Sequence, residues 1–433
     1  MTGRRAQPGR CEAAYIWTPD FLTYHLAEDH PFNPLRLQLT DELIRDCGLL
    51  APELERPPRQ AGREDLLLVH DPDYVTAVER FSRPEAARLW GAGAGGAEAG
   101  ERTGLIGFRR SRGGMHGDWG LEEPDPDDPV QYGLGTEDNP IFPGMHQAAS
   151  WWVGATLTAA EMVMEGRVKH ALNLGGGLHH AHRDRASGFC IYNDAAAAIA
   201  WVRRRYGARV LYIDTDAHHG DGVQWLFYGD SHVLTLSYHE SGRYLFPGTG
   251  GVDERGTGAG LGYAVNVPLE PFTDDASWLE VLDLTLPPVA RAFRPDLIVS
   301  QNGCDGHLLD PLTHLSASLD FYREVPRRVH RLAHELCGGR WVAVGGGGYD
   351  MWQVVPRAWT ALWAEMSGGA LPSELPEGWR RRWEARAPVA LPRHFPDEPA
   401  DAEASPRLAE IRDYNRRTAE RVLTEVVPLI HAR

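Results

Sequence analysis

The sequence predicts an α/β fold in three layers, with a mainly parallel central sheet and helices on both faces. Two observations carry this expectation. Short apolar runs alternate along the chain with longer helical segments, and most of the runs end abruptly in glycine or aspartate. Strands buried on both faces read as continuous apolar runs, and parallel neighbours must be joined by helical crossovers.

In chain order, the first 80 residues mix short apolar runs with turn signals. His30-Pro31-Phe32-Asn33-Pro34 is a loop, and Leu35 to Leu50 reads as an amphipathic helix. Ser82–Val130 holds the glycine-rich GAGAGGAEAG and the acidic LEEPDPDDPV, so it is expected to be a long surface insertion with only partial helix. Ile141 to Arg167 has a helical pattern. Strands are then expected at Ala171–Leu174, Val210–Ile213, Val233–Leu236, Leu297–Val299 and Trp341–Val344. Helices are expected between them at Ala195–Tyr206, Trp278–Phe293 and Tyr322–Cys337. After Gly369 the chain is rich in proline and arginine. Ser405–Ile430 closes it as a helix, with Leu408, Ile411, Val422 and Val426 roughly on one stripe, either docked or exposed.

Composition narrows the class. A length of 433 residues allows two to four domains, or one large α/β unit with extensions. Lys plus Arg is 44 and Asp plus Glu is 60, and the resulting charge of −16 argues against nucleic acid or an anionic membrane as partner. No apolar stretch reaches the ~20 residues of a membrane span. The N-terminal MTGRRAQPGRCEAAYIW lacks the apolar core of a signal peptide. Five cysteines (Cys11, Cys47, Cys190, Cys304, Cys337), odd in number and without CxxC, read as reduced thiols, so a cytoplasmic location is expected.

The reactive side chains collect at the strand ends, where ligands bind in open α/β sheets. Ala171–Leu174 runs into Gly175-Gly176-Gly177-Leu178-His179-His180. Val210–Ile213 runs into Asp214-Thr215-Asp216-Ala217-His218-His219-Gly220-Asp221. Leu297–Val299 is followed by Gln301-Asn302-Gly303-Cys304-Asp305, and Trp341–Val344 by Gly345-Gly346-Gly347-Gly348-Tyr349-Asp350. Asp214, Asp216 and His218 alternate along an extended chain and so lean to one side. Asp216 and His218 can then reach one ion together, and Asp305 from a neighbouring strand could complete an Asp₂His set with an open position for water. Taken singly, a DxH triplet is usually a solvated turn, an aspartate a helix cap and GGGG a tight loop. Four strand ends offering these types together point to a metal hydrolase.

At these residues the sequence resembles the zinc-dependent histone deacetylase superfamily of the arginase–deacetylase fold, and within it the bacterial acetoin utilisation branch. The matching stretches are HPFNPLR (His30–Arg36), GTEDNPIF (Gly135–Phe142), GGGLHHAHRDRASGFCIYNDAAAA (Gly175–Ala198) and YIDTDAHHGDGVQWLFY (Tyr212–Tyr228). They continue with HESGRYLFPGTG (His239–Gly250), YAVNVPL (Tyr263–Leu269), NGCDGHLLDPL (Asn302–Leu312) and GGGGYD (Gly345–Asp350). The resemblance implies a single deacetylase domain over residues 15–368, interrupted at about 82–130, and a tail over 369–433.

The resemblance also implies roles. Asp216, His218 and Asp305 would be zinc ligands, with Fe²⁺ as the alternative metal. His179 and His180 would be the tandem acid/base histidines, oriented by Asp214 and Asp221 respectively. Tyr349 would donate to the oxyanion. Gly188, Phe189 and Phe246 would wall a narrow tunnel, Asp138 would hold the substrate backbone at its rim, and Leu312 and Gly347 would also contact substrate. A structural K⁺ would sit by Asp214, Asp216, His218, Ser237 and Tyr238, and a second by Phe227, Asp230, Val233 and Tyr263.

The implied reaction is hydrolysis of an acetamide by metal-activated water, with His180 as base, giving acetate and a free amine. The implied substrate is acetyl-lysine on proteins, with acetyl-CoA synthetase as the target in the acetoin branch. An acetylpolyamine or other small amide is the alternative. An inactive acyl-lysine binder is a third reading, opposed by the presence of every ligand and both histidines. Arginase chemistry would need more carboxylates facing the metal. Leu178 stands where many eukaryotic relatives carry Trp. The 82–130 insertion lies just before Asp138 and is expected to border the tunnel mouth and alter which substrates enter.

Overall fold

The computed structural model describes residues 12–90, 127–398 and 405–431. Among them, eight parallel strands form one sheet: β1 (Ala13–Ile16), β2 (Glu55–Arg56), β3 (His170–Asn173), β4 (Val210–Asp214), β5 (Val233–Glu240), β6 (Ala264–Leu269), β7 (Leu297–Gln301) and β8 (Trp341–Val344). Their spatial order is β2-β1-β3-β8-β7-β4-β5-β6. The helices are α1 (Leu35–Asp46), α2 (Arg63–Leu66), α3 (Pro72–Phe81), α4 (Pro84–Trp90), α5 (Met145–Met164), α6 (Asp194–Tyr206), α7 (Asp221–Leu226) and α8 (Asp275–Phe293). They continue as α9 (Leu319–Cys337), α10 (Val355–Ser367), α11 (Glu377–Glu384), α12 (Leu408–Arg421) and α13 (Val427–His431). Helices α5 and α6 pack together on one face, α1, α10, α9 and α8 form a row on the other, and α12 joins α8 beside the β6 edge. This is the expected three-layer arrangement. None of the helices among the described residues is long and apolar enough to cross a membrane.

The boundaries differ from expectation for local reasons. Helix α1 ends at Asp46 rather than Leu50 because Gly48 turns the chain with φ of +68°, the usual glycine exit from a helix. Helix α5 begins at Met145 rather than Ile141, since Pro143 disfavours helical backbone at Phe142 and Gly144 sits at φ +78°. Strand β6 was not expected, because Asn266 and Pro268 interrupt its apolar run. It lies at the sheet edge, where a proline is tolerated. Strands β1 and β2 are four and two residues long, too short for a periodicity. Of the 82–130 insertion, α4 and a 3-10 turn at Pro129–Tyr132 are seen, while residues 91–126 lie outside the described residues.

The tail is docked. Leu375, Trp379, Trp383, Leu391 and Phe395 pack with Leu39, Leu43 and Trp352 into a second, smaller core. Ile411, Val422 and Val426 are buried as the stripe requires, and Leu408 is half-buried. Asn415 on the same face is fully buried; it accepts from the Glu270 amide at 3.0 Å and donates to Thr273 and Ser277 at 2.8 and 3.0 Å.

Asp397 fastens the tail to the domain. It accepts from Arg357 Nη2 at 2.9 Å and the Leu319 amide at 2.8 Å, and His307 Nε2 lies 3.0 Å away. Against the cost of burial, His307 and Arg357 hold its carboxyl down to about 2. A depressed carboxyl stabilises the fold above its unfolded pKa near 4 and loses that contribution as pH falls toward 2. Asp397→Asn is therefore expected to lower the unfolding free energy by about 2 kcal/mol at pH 7, with the difference from the parent shrinking between pH 4 and 2. Equal urea midpoints at pH 7 would show that the tail is not anchored here.

Candidate metal centre and active site

The four strands whose ends carry the predicted side chains are neighbours in the order β3-β8-β7-β4. Loops that leave them at the same end must converge, although their residues span positions 175 to 350.

Asp216, His218 and Asp305 come together: one ligand atom of each lies within 4.8 Å of the others, and all three residues are buried. His218 Nδ1 is 3.2 Å from Asp216 Oδ1 and 2.8 Å from Asp305 Oδ2. The remaining carboxylate oxygens are committed. Gln301 Nε2 and the Gly347 amide donate to Asp216 Oδ2 at 2.6 and 2.7 Å, and the Ala217 amide donates to Asp305 Oδ1 at 2.8 Å. Two glycines permit this density. A Cβ on Gly303 would stand 2.1 Å from Asp216 Oδ2, and one on Gly347 2.2 Å from Asp305 Oδ2. Burial and the neighbouring Asp216 push Asp305 up to about 6, while the two carboxylates, working against burial, push His218 up to about 10. Such a pocket calls for positive charge. Two carboxylates and one imidazole suit a divalent cation.

Asp214 leans the other way. Its Oδ2 faces His179 Nδ1 at 2.8 Å and accepts from the Tyr212 hydroxyl at 2.8 Å. Of the three residues predicted to share one side, only Asp216 and His218 therefore converge on Asp305. His180 Nδ1 lies 2.7 Å from Asp221 Oδ1, and the two Nε2 atoms of the tandem histidines are 3.0 Å apart. Each imidazole is thus braced through Nδ1 by its own carboxylate, which fixes its orientation. The environments differ. Burial and the adjacent His179 push His180 down to about 4. Burial opposes charge on His179 too, but Asp214 and Asp216 prevail and raise it to about 9. Two titratable groups driven apart in this way are suited to be base and acid.

The loop bearing the pair is held by Asp194, a fully buried carboxylate at the start of α6. It accepts from the Gly177 and Leu178 amides at 2.9 and 2.8 Å and from Thr156 Oγ1 at 2.6 Å.

Tyr349 stands edge-on to His218, with centroids 6.5 Å apart and planes at 90°. Burial and the nearby carboxylates raise its phenol well above the ordinary range, so it remains a donor. Phe246 is 44% exposed and lies 5.1 Å from His180, so it is no ordinary core residue. Phe189 is half-buried, 5.8 Å from Tyr349, with its backbone at φ +71° and its carbonyl accepting from the Tyr24 hydroxyl at 2.7 Å. Gly188 precedes it against the His180 ring. His30 packs on Phe189 at 4.6 Å and against the Asp138 backbone, and the Asp138 side chain is exposed. Just past the insertion, the Tyr132 carbonyl accepts from the Ala186 amide at 2.9 Å. Leu312 is half-buried, its amide donating to Asp310 Oδ1 at 3.0 Å.

Of the two residue sets expected to hold potassium, the first brings Ser237 into register opposite Asp214, with Tyr238 next along β5. In the second, the Phe227 carbonyl accepts from the Asp230 amide at 2.9 Å and the Tyr263 carbonyl from Thr235 at 3.0 Å. There the Asp230 carboxylate is already engaged by Arg203 at 3.2–3.3 Å, and Val233 follows at the start of β5.

Besides Asp194, four further contributors were not singled out from sequence. His182 Nε2 shares Asp221 at 3.2 Å. Gln301 holds Asp216. Asp310 Oδ2 accepts from the Tyr349 amide at 2.8 Å. Arg36 is buried, donates to the Gly348 carbonyl at 2.9 Å and lies over the Phe32 ring at 4.1 Å. Each stands within or beside a stretch already recognised, which marks its neighbourhood but not its role.

Comparison with known proteins agrees with this geometry. The model of the histone deacetylase domain matches residues 30–366. The chain is 49% identical to the acetoin utilization protein AcuC of Bacillus subtilis over 413 residues, covering 95% of this chain and 97% of that one. It is 41% identical to AcuC of Staphylococcus aureus over 409 residues, covering 94% and 95%. Among solved structures it is similar to an HDAC homolog from Aquifex aeolicus, at TM-score 0.75 and 28% identity, over 94% of this chain and all of that one. The same figures hold for an HDAC homolog complexed with SAHA.

Proposed function

Because the chain belongs to the histone deacetylase family, of arginase–deacetylase fold, and to its acetoin utilisation branch, we propose that it is a zinc-dependent hydrolase of the acetamide on acetyl-lysine side chains of proteins. The observation that carries this reading is the buried Asp216–His218–Asp305 cluster set against two imidazoles, each braced by its own carboxylate. These three residues would hold the ion, Zn²⁺ first and Fe²⁺ as the alternative. An ion held there would supply Lewis-acid polarisation of the acetamide carbonyl and would make water nucleophilic near neutral pH.

The chain's own groups do the rest. His180, neutral and aligned by Asp221, takes the proton of the attacking water at Nε2. The Tyr349 hydroxyl donates to the oxyanion that develops on the acetamide. His179, protonated against Asp214, supplies the proton that leaves with the amine. Phe189 and Phe246 flank the four methylenes of a lysine stem, each worth about 0.8 kcal/mol when buried. Gly188, Leu312 and Gly347 complete the walls, and Asp138 engages the substrate backbone at the mouth. The same proposal includes structural K⁺ at Asp214, Asp216, His218, Ser237 and Tyr238, and a second at Phe227, Asp230, Val233 and Tyr263. Acetylated acetyl-CoA synthetase is the protein substrate that the likeness to acetoin utilisation proteins suggests.

His180→Ala is expected to retain the ion and lose on the order of 10²–10⁴ in turnover on an acetyl-lysine peptide. Unchanged turnover would remove His180 as the base. Comparing acetylated protein with acetylspermidine as substrate tests the class. Faster turnover of the polyamine would replace protein lysine with a small amide.

A further inference from the structure

At the other end of the sheet from the Asp216 cluster, three more imidazoles converge. His170 opens β3, and His330 and His334 stand four residues apart on one face of α9. One ring nitrogen of each lies within 4.8 Å of one on each of the others. The ring centroids are 4.6 Å apart for His170 and His330, 5.3 Å for His170 and His334, and 4.9 Å for His330 and His334.

Packing alone does not account for this group. His170 is 1% exposed, and its Nδ1 is buried with no hydrogen-bond partner among the described residues. Buried polar atoms are rarely left so. His330 Nδ1 lies 2.7 Å from Glu365 Oε1, which fixes the proton there and leaves Nε2 as the lone-pair nitrogen, the carboxylate–histidine arrangement found behind metal ligands. Neutral imidazole is the ligating form. Beside the cluster Lys169 and Glu12 pair with each other at 2.7 Å, and Arg327 Nε lies 3.8 Å from Glu365 Oε2.

We propose that His170, His330 and His334 form a second metal site, separate from the catalytic one, for an imidazole-preferring divalent ion such as Zn²⁺. The donor set excludes Mg²⁺ and Ca²⁺, which require oxygen ligands. His334 is exposed, so its ring can turn to close the nitrogens to the ~3.3 Å separation of a tetrahedral site, with water in the fourth position. The ion joins the C-terminal half of α9 to the start of β3, the strand whose far end carries His179 and His180.

The test is the metal content of the full chain loaded with Zn²⁺ and freed of excess, parent against His334→Ala. The exposed substitution does not threaten folding. Metal per chain is expected to fall by one equivalent while deacetylase turnover is unchanged. It falls by one whether or not the Asp216 cluster binds, so the two readings fail separately. A second measurement uses Asp216→Ala, expected to lack the catalytic ion. Zn²⁺ at 100 times its dissociation constant should raise the melting temperature of this variant by about 3 °C, and Mg²⁺ should not. Equal metal content in parent and His334→Ala, or a Zn²⁺ shift that survives His334→Ala added to Asp216→Ala, would overturn the site.

Discussion

Asp216→Ala is expected to strip the divalent ion from the catalytic cluster and to lower kcat/KM on an acetyl-lysine peptide by about 10³-fold or more. The loss of Lewis-acid assistance is worth several kcal/mol, and each 1.36 kcal/mol is tenfold. The carboxylate cannot be replaced locally. Its Oδ2 already accepts from Gln301 and Gly347, and its Oδ1 faces both the amide and the ring of His218. Asp216→Asn keeps the volume but removes the charge, and its amide nitrogen would have to face either Gln301 and Gly347 together or the His218 amide. Both variants should keep their near-ultraviolet dichroism, since the groups lost lie in a loop beyond the sheet. Metal content and kcat/KM decide the matter together. A variant retaining the catalytic ion at full occupancy, or full turnover, would exclude Asp216 as a ligand.

Tyr349→Phe should lower kcat by 10²–10³-fold with KM little changed, because the hydroxyl is asked to act on charge that exists only in the transition state. The ring will stay where it is. Its backbone amide is held by Asp310, and the preceding glycines are held by Asp216, Cys304 and Arg36. The phenylalanine therefore removes one donor and nothing else. A loss below about tenfold would put this hydroxyl outside the oxyanion hole.

Much of this site could be read in the sequence because strand ends carry their chemistry in contiguous stretches. His179-His180, Asp214-x-Asp216-x-His218 and Asp305 each follow an apolar run, and parallel topology turns that position into proximity. The Asp₂His set needed only the further fact that β4 and β7 are neighbours. Gln301, Asp310 and Arg36 were not legible, since nothing in a glutamine, a loop aspartate or a helix arginine announces which oxygen it will meet. Edge strands were missed for a related reason. Pro268 and the polar pair Glu55–Arg56 are tolerated only because one side of each strand is open, which composition does not reveal. The C-terminal helix docks through Asn415 as much as through its apolar stripe, and a buried amide looks like a surface residue until its partners are known.

Strand β8, the last in the chain among the described residues, lies between β3 and β7. It is the keystone of the arch. Before Trp341–Val344 is inserted, β2, β1 and β3 with the histidine pair make one half-sheet, and β7, β4, β5 and β6 with Asp216, His218 and Asp305 make another. A nascent polypeptide therefore carries the histidine pair and the Asp216, His218 and Asp305 side chains before the strand that joins them, and Tyr349 follows it. Competence should arrive in a single step, late in synthesis, when the final strand slots home.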